Sequence, residues 1–238
     1  MDYTGLIQEE LRAFADPEKA AFLPKFFKAF PGGYGEGDRF IGVAVPRQRQ
    51  VARKYYRNIR LDELTGLLQD PVHEHRLTAL FMLAYKYEKE DSDSEKKALA
   101  DLYLENIDYV NNWDLVDSSA HKILGAYLFE TGDRDMLYEF ASRGHLWKQR
   151  AAVIATFYFI RNGFYEDTLK LAAILLRHEH DLIHKAVGWM LREIGKRDFT
   201  VEFDFLKEHY RDMPRTMLRY AIEKFAPELR KQFLQGSI

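Results

Sequence analysis

Trp113 and Asp117 stand four residues apart in the run Asn111-Asn112-Trp113-Asp114-Leu115-Val116-Asp117-Ser118. On a helix that spacing puts both side chains on one face, so a flat π surface and a carboxylate project together. A π face attracts a positively charged ring. A carboxylate beside it can steady positive charge that develops during a reaction. Each tryptophan of the chain has a charged residue three or four positions on: Trp113 with Asp117, Trp147 with Arg150, and Trp189 with Arg192. Core packing with a charged rim explains any one pair as well. Three pairs in succession are harder to explain that way, and a shared face is the alternative.

A second group of residues suits phosphate. Arg47, Arg49, Arg53, Lys54, Arg57 and Arg60 follow Pro46 with no acid among them. Pro46 is well placed to open a helix, and the cations after it can reach a nucleic-acid backbone. The alternative is a surface helix whose charges offset acids such as Asp62 and Glu63. Further cations recur at Lys148, Arg150, Lys185, Arg192, Lys196 and Arg197. His178, His180 and His184 have a spacing that can ligate a metal, but a polar helix end accounts for them equally, and no metal is expected. The glycines from Gly32 to Gly37 lack the Gly-Lys-Ser/Thr ending of a phosphate loop and the strand–turn–helix setting of a dinucleotide fingerprint, so they are expected to form a structural loop or a contact loop. No serine or threonine lies in a recognisable nucleophile motif.

The elements that must position these residues are helices. Apolar residues recur at helical spacing, as at Leu77, Leu80, Phe81 and Ala84, and at Ala151, Ile154, Ala155 and Tyr158. Breaks are short and polar: Pro31-Gly32-Gly33, Gly132-Asp133, Arg143-Gly144 and Arg161-Asn162-Gly163. The charged stretch from Glu88 to Lys97 predicts a loop leading into a helix near Ser94. Similar basic-then-apolar segments begin at Arg76, Lys122, Arg150, Lys185 and Arg215, separated by 28 to 46 residues. That irregular period is near the length of a two-helix solenoid repeat. It predicts an all-α chain whose second helices line a groove; an ordinary helical bundle is the alternative.

Composition sets the limits. The chain has 238 residues, 47% of them hydrophobic, enough for one large domain or two small ones. The absence of cysteine excludes disulfides and thiolate metal sites and fits a cytoplasmic setting. The start, Met1 to Leu6, lacks the pattern of a signal peptide, and no apolar run approaches the roughly 18–20 residues that cross a bilayer. A formal charge of −2 argues against indiscriminate polyanion binding but leaves local basic patches open.

Four blocks together resemble one family. Phe40-Ile41-Gly42-Val43-x-Val45-Pro46-x-x-Arg49, Trp113-Asp114-x-Val116-Asp117-Ser118, Trp147-x-Gln149-Arg150-Ala151-Ala152 and Lys185-Ala186-Val187-Gly188-Trp189-Met190-Leu191-Arg192-Glu193 look like motifs of the AlkD family of DNA alkylation repair glycosylases. The likeness runs from about Glu18 to Arg192. It implies one α-solenoid domain of HEAT-like repeats over residues 1–238, with a concave basic groove for duplex DNA. It also implies hydrolysis of the N-glycosidic bond of purines alkylated at N3 or N7. By motif, the family's essential carboxylate falls on Asp117, its aromatic walls on Trp113 and Trp189, and its cleft arginine on Arg150. Arg47, Arg49, Arg53, Lys148, Lys185 and Arg192 are the expected DNA contacts. No cofactor, membrane or obligate protein partner is implied, and a monomer on double-stranded DNA is expected.

Two departures stand out. Phe26 or Phe27 stands where some members have a tyrosine, so a hydroxyl contact to DNA is missing there. The Gly32–Asp38 loop resembles that of a broad branch of the family rather than its best-known form. Some branches have lost the catalytic residues, whereas Trp113, Asp117, Arg150 and Trp189 are all present here. A non-catalytic DNA-structure binder of the same fold and a protein-binding helical scaffold are the competing expectations.

Overall fold

The computed structural model describes residues 2–143 and 145–238. Gly144, part of the break expected at Arg143-Gly144, lies outside the described residues. The described chain is helical throughout, with no strand beyond an isolated bridge between Arg39 and Val72. No described helix is long and apolar enough to cross a membrane. The helices fall into two compact units, 1–127 and 128–238.

The first unit contains α1 (Tyr3–Ala13), α2 (Pro17–Phe26), α3 (Val45–Tyr55), α4 (Leu61–Leu68), α5 (His73–Lys89), α6 (Asp93–Glu105) and α7 (Trp113–Ser119). Helix α8 (Leu124–Thr131) spans the boundary. Helix α5 is the axis of this unit, with α3, α4, α6 and α7 packed against it. Its residues from His73 to Ala84 are buried without a break, because a helix enclosed by neighbours needs no polar face. Helix α3 opens at Val45 with Pro46 in its first turn, as expected.

The second unit contains α9 (Asp135–Arg143), α10 (Leu146–Arg161), α11 (Glu166–Ile174), α12 (Asp181–Gly195), α13 (Phe199–His209), α14 (Arg215–Ala221) and α15 (Pro227–Gln235). Here α10 packs on α12 and α12 on α14, while α9, α11 and α13 back them. Such stacked helix pairs are solenoid-like repeats. The layering in the first unit is equivalent: α3, α5 and α7 follow one another, with α4 and α6 behind. Helices predicted to start at Arg76, Arg150, Lys185 and Arg215 are α5, α10, α12 and α14. Lys122 instead lies in the turn before α8.

Glycines allow the closest approaches. A β-carbon on Gly188 would collide with the backbone carbonyl of Met217, so this glycine of the Lys185–Glu193 block lets α12 lie against α14. Gly35 has a similar role in the α2–α3 loop, where a β-carbon would sit 2.9 Å from Asn112 Nδ2 and closer still to the Phe27 carbonyl.

Candidate functional site

Helix α7 is short, and its faces are cleanly divided. Leu115, Val116 and Ser119 are buried, while Trp113, Asp114, Asp117 and Ser118 are half-buried. One turn separates Trp113 from Asp117, about 6 Å along the axis, so both occupy the partly open face. The helix is fixed at its start by Asn112, which is fully buried and whose Oδ1 accepts the Trp113 N–H at 2.9 Å. The charge of Asp117 helps hold the buried Tyr103 phenol in its neutral form, after burial itself.

The Trp113 indole sits against two phenylalanines. It stacks on Phe27 at 5.4 Å between centroids and meets Phe26 edge-on at 5.9 Å. Phe27 in turn stacks on Phe40 at 5.3 Å. A cavity of ≈ 340 Å³ opens beside these rings, walled also by Val43 and Val45, with Lys19, Gln48, His73, Glu74 and Asp114 as its polar members.

Behind the rings lies a buried charge network that sequence reasoning missed. His73, only 2% exposed, places Nδ1 2.9 Å from Asp38 and Nε2 2.8 Å from Asp114. With a carboxylate on each ring nitrogen, both nitrogens must donate, so the group is an imidazolium. Burial alone would push its pKa down; the Asp114 charge and hydrogen bond, with Asp38 behind them, reverse this and lift it to about 9. Burial likewise opposes charge on Asp38, but the hydrogen bond from His73 and the Arg76 charge hold that carboxyl below its usual range. Arg76 also donates to Asn111 Oδ1 at 3.1 Å and to the Asp70 carbonyl at 2.8 Å. Phe27 and Phe40 cover the imidazolium at 4.7 and 5.0 Å. One residue on, the buried Glu74 carboxylate accepts the amides of Ile41, Gly42 and Val43, the shortest at 2.7 Å. These contacts tie the 38–43 loop, α5 and the first turn of α7 together. The sequence carried a signal: four ionisable residues, His73-Glu74-His75-Arg76, stand directly before the run Leu77–Ala84, which is apolar but for Thr78, and buried charges must be paired.

The remaining expected residues are found on the helices named for them, in differing environments. Arg47 and Arg53 of α3 are exposed, Arg47 lying over the Phe14 ring at 4.9 Å. Arg49 is half-buried over Phe81 at 4.0 Å. Lys54 and Arg60, from the same basic strip, pair with Glu10 and Asp62; for these two the charge-offset alternative holds. In the second unit, Arg150 is 5% exposed and donates to the Leu182 carbonyl of α12. Trp189 is half-buried, its indole N–H donating to Glu193 at 3.2 Å, with Phe157 at 6.0 Å. Lys148 is half-buried. Lys185 pairs with Asp181 at 2.6 Å, and Arg192 pairs with Glu223.

One expectation changes. Trp147 is 7% exposed and belongs to the core, so the Trp147–Arg150 pair is packing rather than part of a shared open face. The three histidines make hydrogen bonds around the start of α12: His178 faces Gln149 at 3.0 Å, His180 caps α12 by accepting the Leu182 N–H, and His184 meets the His178 carbonyl. Among the described residues no cluster of three or more metal-ligating side chains occurs.

Solved structures share this fold. A chain described as a predicted DNA alkylation repair enzyme from Enterococcus faecalis matches with a TM-score of 0.70 at 17% identity, over 90% of this chain and 97% of that one. AlkD2 from Streptococcus mutans matches with a TM-score of 0.55 at 18% identity, over 89% and 99%. No curated protein matches. The sequence profile of the DNA alkylation repair enzymes matches residues 7–225, nearly the whole chain, and the protein belongs to that family.

Proposed function

We propose that the chain is a monofunctional DNA glycosylase that hydrolyses the N-glycosidic bond of purines alkylated at N3 or N7 in duplex DNA. Family membership supports a role in alkylation repair. The observation that carries the finer assignment is the common, partly open face of Trp113 and Asp117 on a helix capped by Asn112 and tied to α5 through Asp114 and His73.

Alkylation at N3 or N7 makes the purine cationic and already a good leaving group, so no general acid is needed. As the bond to the sugar stretches, positive charge builds on the deoxyribose, the same oxocarbenium character that carboxylates stabilise in sugar hydrolysis. Asp117 supplies that field and orients the attacking water. The Trp113 ring attracts the cationic base or sugar, a contact worth about 0.5–2 kcal/mol. That biases selection towards damaged bases but is too small to carry catalysis. Trp189 takes the second aromatic role by motif. Arg150, by motif the phosphate holder, would act from its buried position against α12. The scheme gives no task to a metal or organic cofactor, and the partner is double-stranded DNA.

The direct test is incubation of methylated duplex DNA with the protein and chromatography of the released bases. Free 7-methylguanine or 3-methyladenine is expected. Tight duplex binding without any released base would leave a non-catalytic DNA binder instead.

A further inference from the structure

Helix α2 contains no buried residue. Its two outward phenylalanines, Phe22 and Phe26, are 58% and 50% exposed, and Phe30 just beyond it is 49% exposed. Isolated exposed apolar residues need no explanation. Phe22 and Phe26 differ because their rings adjoin one another and Phe26 joins the candidate site. Phe22 and Phe26 lie four apart with ring centroids 6.0 Å from one another. Phe26 then meets Trp113 and lines the cavity beside it.

The surroundings are cationic. Lys25 and Lys28, beside and just beyond Phe26 in sequence, are exposed. Lys28 leans over the Tyr34 ring at 5.3 Å, and Lys19, one turn before Phe22, lines the cavity while pairing with Asp16. The exposed acids among residues 17–47 are Glu18 and Glu36, and Glu36 is engaged with the Gly32 amide. Lysine is depleted in protein–protein contacts relative to the rest of the surface. Open aromatic faces beside cations instead suit nucleic acid, where bases stack on the rings and phosphates meet the charges.

We propose that Phe22 and Phe26 form a stacking platform for a nucleobase displaced from its duplex, with Lys25 and Lys28 meeting the flanking phosphates. The platform rests on the duplex binding proposed above and deepens it, because it specifies a contact with unstacked rather than paired bases. Rings so exposed can be shortened without opening the core, which makes the proposal testable by substitution.

The experiment compares the parent chain with Phe22→Ala, Phe26→Ala, the double variant and the conservative Phe22→Trp. The probes are an intact duplex and the same duplex carrying one bulged 2-aminopurine. The parent is expected to quench the bulged fluorophore. The double variant should bind the bulged duplex roughly tenfold to a hundredfold more weakly, while losing much less affinity for the intact one, and Phe22→Trp should keep the quench. Equal losses on both duplexes, or an unchanged quench in the double variant, overturn the platform. So does concentration-dependent dimerisation of the parent that Phe22→Ala abolishes, which would assign the stripe to a second copy. Released 7-methylguanine is measured in parallel. Base release with an unaltered quench sinks the platform alone; the expected quench without base release sinks the glycosylase assignment alone; no DNA binding at low salt sinks both.

Discussion

His73 shows how one residue can link stability to the geometry of the candidate site. Its folded-state value near 9 exceeds the roughly 6.5 of an unfolded histidine. The imidazolium therefore contributes fully to stability below about pH 6.5, and that contribution is lost as pH rises through about 9. Denaturant midpoints of the parent are expected to fall over this window, with a shallower fall for His73→Gln. An identical slope in both would show that the network does not titrate as described. Removing one carboxylate is a harsher change, since it strands buried charge: Asp114→Ala should cost about 3–5 kcal/mol in chemical denaturation. The tryptophans divide in the same terms. Trp147→Ala should destabilise by about 3–5 kcal/mol, as for a core aromatic, whereas Trp113→Ala should lower base excision more than it lowers the affinity for undamaged duplex.

At the scale of elements, what the sequence could reveal followed from periodicity. Helices α5, α10, α12 and α14 repeat apolar residues strongly enough to be located, and Pro46 marks α3. The spacing of Trp113 and Asp117 predicted a common face, and α7 has that face. Fates that depend on partners distant in sequence could not be read the same way. Nothing local distinguishes the buried Trp147 from the half-buried Trp189, because helices enclosing each decide its burial. The Asp38–His73–Asp114 bridge joins a loop and two helices across 76 positions, beyond the reach of any local pattern. Helix α13 carries an analogous hidden group. Glu202 is 2% exposed, and burial pushes it up to about 8 against the pull of Arg192. Being raised above the unfolded carboxylate, it contributes stability below about pH 4.5 that is lost as pH rises to about 8. Thermal melts should show Glu202→Gln flattening that decline; an unaltered decline would mean that Glu202 is already charged when folded. On α3, Arg47→Ala or Arg53→Ala should each weaken duplex binding evenly across sequences and reduce the salt slope by roughly one.

For the whole molecule, a formal charge of −2 means that any affinity for DNA must come from local arrangement rather than bulk attraction. Family membership gives the field of action, alkylation repair; the chemistry proposed for it converges on one carboxylate. The sharpest test is the single-turnover rate of 7-methylguanine release from methylated duplex, measured with equilibrium binding for the parent and Asp117→Asn. The variant should release base roughly a hundredfold or more slowly, the scale for losing a positioned catalytic group, while binding duplex nearly as tightly. Excision by Asp117→Asn at the parental rate would contradict the account.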